Sequence, residues 1–260
     1  MNTSVKNRLL VNSPTRNHSY APPVGGGMGF TIGGILDLRS GSRRRIRSAG
    51  GTAVAEYTGL WGWDVVPGAR AVRAGGRTEC SCGVPDCPSP GAHPLSFGRE
   101  LAAGATLEKA LAAWAETPGA AVLLPVGRTF DVLDVPEDAG RGALVRLERM
   151  GLPLGPVAAA PTGRALFFVA PGAAAALPDL LYRMGWDDAD LDLRPLGPGD
   201  HITAPPSDFG GLGPMRWLRP PTLDTAGRPP QARLLLGALA YVCNRAAGRA
   251  AVAPAGPPVR

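Results

Sequence analysis

Apolar positions along this chain recur with two different spacings, and the switches between them mark out its elements. A helical spacing first appears in an Ala-rich stretch from Thr52 to Leu60, followed by Trp61-Gly62-Trp63 and a short apolar strand, Asp64 to Val66. Thr106 is placed to cap a helix in which Leu107, Ala110, Leu111 and Trp114 share one face, stopped by Pro118 and Gly119. Two strand-like runs follow at once, Ala121 to Val126 and Thr129 to Val135. The Gly127-Arg128 pair between them is short enough for a hairpin or a tight turn between neighbouring strands. A second amphipathic helix is predicted over about Gly140 to Met150, with Leu144, Leu147 and Met150 inward, arginines outward and Gly151 ending it.

Strands return at Val157 to Ala160 and Leu166 to Val169, on either side of Pro161-Thr162-Gly163-Arg164. A helix is expected over about Ala174 to Met184, then short strands at Leu191 to Leu193 and Ile202 to Ala204. A last helix runs from Gln231 to Arg245, with Leu234, Leu235, Ala238, Leu239 and Val242 at helical spacing and Cys243 reading as core. Helices and strands alternate irregularly, with hairpins. That order predicts an α+β fold, a sheet covered by helices, more than a doubly wound parallel sheet.

The first 48 residues break this pattern. They run through Asn, Ser, Pro and Gly, include Gly25-Gly26-Gly27, and end in Arg39, Arg43, Arg44, Arg45 and Arg47. They read as a flexible basic arm suited to phosphate contact or a solvated tail, in part an overlong start if translation begins at Met28. The expected organisation is this arm (1–48), a folded domain (49–219), and a C-terminal helix with a Pro/Gly/Arg tail (220–260). Composition adds two points. The 36 Gly and 28 Pro imply a loop-rich fold, and the net charge of +6 favours encounter with polyanions such as nucleic acid. No apolar run approaches the ~20 residues that span a bilayer, and the order of a signal peptide is missing, so no membrane contact and a cytoplasmic location are expected.

Two groups of residues carry candidate chemistry. Cys80, Cys82, Cys87 and His93 lie in one short stretch punctuated by Gly83, Pro85, Pro88, Pro90 and Gly91. Three thiolates and an imidazole held by tight turns supply the four ligands of a closed tetrahedral zinc site, although the spacing is not that of a zinc finger. The turns leave no periodic apolar face to bury, and Cys80 and Cys82 are too close to pair well as a disulfide. The second group is acidic. Asp134 lies in the apolar strand Phe130-Asp131-Val132-Leu133-Asp134-Val135 and faces opposite to Asp131. A strand that delivers two carboxylates to one metal would need acids at 134 and 136, and position 136 is Pro. Asp190-Leu191-Asp192-Leu193-Arg194 alternates as a strand would, with Asp190, Asp192 and Arg194 on one face, and His201 opens the next segment.

The order of these features resembles the bifunctional DNA primase/polymerase N-terminal domains of bacteria, phages and plasmids, related to the archaeo-eukaryotic primases. Five pieces carry the resemblance, over about residues 52 to 218: the Ala-rich helix before Gly62-Trp63-Asp64-Val65-Val66-Pro67; the Cys80-to-His93 segment with its Pro90-to-Pro94 end; the Trp114 helix leading to the Gly127 strand; Val132-Leu133-Asp134-Val135; and Ala204-Pro205-Pro206-Ser207 with Trp217 nearby. More narrowly, the chain looks like a short actinomycete subgroup. The resemblance implies a palm-like mixed sheet related to the RNA-recognition fold, carrying the Cys3His zinc site as a small insertion. It also implies Mg²⁺ or Mn²⁺ in a site that binds nucleotides and DNA. Asp134 matches the family's first Asp and Asp192 its last, with His201 a further candidate catalytic residue. Thr162, Gly163, Arg164 and Arg194 fall where nucleotide is bound. Pro136 stands where a second Asp is expected, and Ala165 where a histidine is. The expectation is therefore a primase/polymerase-like protein that binds nucleotide or nucleic acid with catalysis weakened or lost. The alternatives are an active nucleotidyltransferase with substituted metal ligands, Glu137 or Asp138 among them, and a non-catalytic scaffold. The sequence holds no Gly-x-x-x-x-Gly-Lys loop, so a replication role would call on a separate partner.

Overall fold

A computed structural model describes residues 50–74 and 76–252. The basic arm expected from the sequence lies outside the described residues, as does the part of the Pro/Gly/Arg tail beyond Val252; residues 246–252, expected in the tail, continue the last helix. Residues 50–60 form helix α1, whose last turn, Glu56–Leu60, is π-helical. The chain then makes β1 (Val66–Gly68), a hairpin of β2 (Ala71–Ala74) and β3 (Arg77–Cys80), and α2 (Leu107–Glu116), capped by Thr106 as expected. Next come β4 (Ala121–Pro125), β5 (Asp131–Pro136), α3 (Glu137–Arg149), β6 (Val157–Ala160), β7 (Arg164–Val169), α4 (Ala173–Arg183) and β8 (Arg194–Leu196). The order closes with β9 (His201–Thr203), β10 (Arg216–Arg219), the short α5 (Leu223–Ala226) and the long α6 (Ala232–Val252).

The larger sheet has the order β10-β6-β7-β5-β8, and a smaller one the order β1-β4-β9. Every described ladder is antiparallel, where the sequence reading expected a mixed sheet. The reason lies in the split crossover β5-α3-β6. It would set two parallel strands side by side, but the tight turn at Thr162-Gly163 folds β7 back into the gap between them. The segment β5-α3-β6-β7-α4-β8 is thus one β-α-β-β-α-β unit with strand order β8-β5-β7-β6.

Period-two alternation sends the larger sheet's side chains into two cores. Val132, Ala158, Leu166 and Phe168 pack with Trp63, Phe130 and Trp114. Leu133, Val135, Phe167 and Val169 pack under α3, α4 and α6 through Leu147, Leu177, Leu235 and Leu239. Cys243 is buried in this second core, as its place in the helix predicted.

Several local expectations need correction. Gly127-Arg128 joins no paired strands, because β4 and β5 belong to different sheets. Gly127, at φ +94°, passes so close to Pro198 that a Cβ there would sit 2.4 Å from its Cα, and the turn carries the chain from one sheet to the other. The strand near Trp63 runs over Val66–Gly68, registered by pairing with β4. α3 begins at Glu137, since Pro136 fits just before a first turn. Met150, expected inward, is exposed at that helix's end, as are Leu107 and Leu111 on α2, where Ala110 and Trp114 make the buried face. Residues 191–193 are not a strand. Pairing with β5 begins only at Arg194, so Asp190, Asp192 and Arg194 share no strand face. The β2–β3 hairpin and β10 were not foreseen.

Candidate functional site

The zinc-type ligands are gathered at the end of the β2–β3 hairpin. Cys80 closes β3, Cys82 follows in the turn, and Gly91 lets the returning loop pass the hairpin: at φ +72°, a Cβ there would sit 2.5 Å from the Ala71 nitrogen. The ligand atoms of Cys80, Cys82, Cys87 and His93 all lie within 4.8 Å of one another, and they form the one group of three or more His, Cys, Asp or Glu among the described residues that could hold a metal ion. Cys80 Sγ and Cys87 Sγ lie 3.3 and 3.4 Å from His93 Nε2. Tetrahedral zinc with bonds of ~2.3 Å to sulfur and ~2.0 Å to nitrogen would set those atoms about 3.5 Å apart, so the spacing fits. His93 Nδ1 lies 2.9 Å from the Pro94 carbonyl, which must accept its proton and so leaves the Nε2 lone pair facing the sulfurs. Burial disfavours the Cys80 thiolate, but hydrogen bonds from the Cys82 and Gly91 backbone N–H groups, with the His93 ring and the Cys82 side chain beside it, outweigh that cost and bring the thiol down to about 6.

The acidic residues meet on the larger sheet. β5 and β7 pair Asp134 with Leu166 and Pro136 with Arg164, and β8 sets Arg194 opposite Asp134. Cross-strand partners share a face, so Asp134, Pro136, Arg164 and Arg194 lie together. The Arg164 guanidinium sits between two carboxylates: Nε donates to Asp134 Oδ1 at 2.8 Å, Nη1 to Asp192 Oδ2 at 2.6 Å, and Nη2 to the Asp134 carbonyl at 3.2 Å. Arg194 adds a looser contact to Asp192, 3.7 Å. Burial raises the Asp134 carboxyl above its usual range although Arg164 opposes the shift.

The other sequence candidates lie around this group or apart from it. Thr162 and Gly163 form the β6–β7 turn, where the Gly163 carbonyl accepts from the Glu137 N–H at the start of α3. Ala165 is fully buried on the opposite face, against Gly140 of α3, so a histidine there would not face Asp134; Arg164 holds the position that does. His201 opens β9 in the smaller sheet. Burial lowers its pKa, and the charges acting on it are those of Asp200, Glu100 and Arg128. Two charged groups escaped the sequence reading, Arg128 with Asp64 and Glu100, and Arg216 and Arg141 on Glu137. Apart from Glu137 and Arg141, four apart on α3, their members are distant in sequence, and no local pattern announces such pairs.

Two carboxylates with a guanidinium between them do not suit a pair of divalent ions. Each cation needs several anionic oxygens, Arg164 already supplies the positive charge, and Pro136 offers neither a carboxylate nor a lone pair from its side chain. No described helix is long and apolar enough to cross a membrane. The family model for bifunctional DNA primase/polymerase, N-terminal, matches residues 54–232. Comparison with curated proteins and with solved structures finds no match.

Proposed function

Because this chain belongs to the bifunctional DNA primase/polymerase N-terminal family, we propose that it binds nucleotide or nucleic acid through a palm-related sheet whose catalytic power is weakened or lost. The strand order β8-β5-β7-β6 within a β-α-β-β-α-β unit supports kinship with the RNA-recognition fold. The observation that carries the reading is Arg164. Its guanidinium joins Asp134 to Asp192 where phosphoryl transfer would ask for carboxylates around cations. An arginine held in that way keeps the strands together and presents positive charge towards a phosphate. Arg194, 71% exposed in its side chain, stands beside it as a second phosphate contact. Cys80, Cys82, Cys87 and His93 would hold one zinc ion, which would supply a cross-link that fixes the hairpin and its loop.

The test is incorporation of labelled nucleotides on single-stranded and primed DNA with Mg²⁺ or Mn²⁺, comparing the wild type with Asp134→Asn. Neither protein is expected to make template-dependent product, while both bind single-stranded DNA with an affinity that falls as salt rises. Product made by the wild type and lost in the variant would overturn the reading in favour of an active enzyme with substituted ligands. Folded protein that binds neither DNA nor nucleotide at moderate salt would leave the fold as a scaffold.

A further inference from the structure

Away from the acidic strands, a cavity of about 780 Å³ opens between the start of α1, the second half of α2, the first residues of β4 and the loop at 206–208. None of Asp134, Arg164 and Asp192 lines it. Its size falls within the roughly 300–1,000 Å³ of small-molecule sites. Leu111, Trp114, Val122 and Pro206 give it apolar walls.

Its polar groups are mostly donors. Trp114 is 6% exposed, yet its Nε1–H has no hydrogen-bond partner among the described residues. That edge of the indole faces Gly50, which lines the same cavity: a Cβ on Gly50 would lie 3.7 Å from Nε1. A buried donor without an acceptor is costly, and an acceptor on a bound molecule would relieve it. The Ser207 oxygen accepts from the Val122 N–H at 2.8 Å, which leaves the hydroxyl hydrogen to donate. Arg70 lines the cavity and makes no ion pair among the described residues. Asp208 is the one carboxylate on the wall. Its Oδ1 is engaged by the Gly211 N–H, so a single oxygen remains for a ligand donor.

We propose that this cavity is a binding site for a small aromatic anion, separate from the acidic strands. Its planar body lies against Trp114 and Leu111, an acceptor on its edge meets the indole N–H, and its anionic group reaches Arg70. Mononucleotides and aromatic carboxylates share that chemistry, and the ring amino group of a nucleobase would also use Asp208.

The experiment is calorimetric titration of the full-length, zinc-loaded chain in magnesium-free buffer with AMP, GMP, CMP and UMP, and with salicylate and indole-3-acetate. At least one of the six should bind at one site per chain, and the class that binds identifies the source. Trp114→Phe, which keeps an aromatic side chain but replaces the indole and its N–H with a single phenyl ring, should weaken binding by about threefold to tenfold. Ala115 lines the cavity from an exposed helix position, so Ala115→Trp fills it without loading the core and should weaken binding by more than about tenfold. Ala115→Trp should leave binding of single-stranded DNA unchanged, which separates this cavity from the group formed by Asp134, Arg164 and Asp192. The inference fails if none of the six binds, if both cavity variants bind as the wild type does, or if Ala115→Trp loses single-stranded DNA binding together with the small ligand.

Discussion

Asp134 and Glu137 stand three residues apart, and burial acts on both, with opposite outcomes. Burial raises Asp134 above its ordinary 3.8 despite Arg164. It also opposes ionisation of Glu137, but hydrogen bonds from Arg216 and Arg141 outweigh it and hold that carboxyl below 4.5. The signs of the pH effects follow. The Glu137 contribution to stability is complete above about pH 4.5 and is lost as pH falls through its lower folded value. The Asp134 contribution has the reverse sign: its cost is absent below about pH 3.8, grows as pH rises through the folded value, and stays above it. In thermal unfolding between pH 6 and pH 3, Arg216→Gln should therefore flatten the acid loss of stability, at a cost near neutrality of no more than ~1 kcal/mol for so exposed a partner. Asp134→Asn should remove the opposite slope. An unchanged acid limb in Arg216→Gln would sink this account. Zinc gives a second check at this scale. His93→Ala should drop the metal content from one zinc per chain to a trace by elemental analysis, with far-ultraviolet dichroism largely kept, because both hydrophobic cores lie outside the hairpin. These residue identities were open to reading from the sequence: the Cys3His group was complete there, and so were Asp134, Asp192 and Arg164. Their pairing was not, because Arg164 meets Asp134 only once β7 is in register with β5.

Elements meet through particular small residues. α3 lies on β7 at Gly140, where an added Cβ would come within 2.7 Å of the Ala165 Cβ and 3.2 Å of Phe167. Alanine is the better helix former by about 1 kcal/mol, so on helix propensity alone Gly140→Ala would stabilise. The contact predicts the reverse, a loss of about 1–3 kcal/mol in urea unfolding as the helix is pushed off the sheet. A gain in stability would show that α3 can slide. The same contact explains why position 165 is small: α3 leaves no room on that face for a larger side chain. Most helices were legible from their spacing and caps, since the signals that begin and end them lie within a turn or two. Short strands were less so. β8 and β10 are of three and four residues, too short to show an alternation, and pairing with a neighbour is what makes them strands.

Across the whole molecule, α6 joins the far end of the chain to its middle. Leu235, Leu236 and Leu239 are fully buried in the core formed by Leu133, Val135 and Phe167 with α3 and α4. Leu239→Ala should cost about 2–5 kcal/mol. It should lower a single unfolding transition followed by both fluorescence and dichroism, and two separated transitions would mean that α6 folds apart from the sheet. The sequence by itself determined the α+β class, most helices, the metal-type ligand cluster and the identities of the acidic residues. Each of these rests on neighbours close along the chain, where spacing and turn chemistry act directly. Only the tertiary structure decided that Gly127 carries the chain between sheets, that β7 enters between β5 and β6, and that Arg164 lies between Asp134 and Asp192. Those outcomes depend on which strands pair and on which faces are buried, and that choice is settled by packing the whole chain at once.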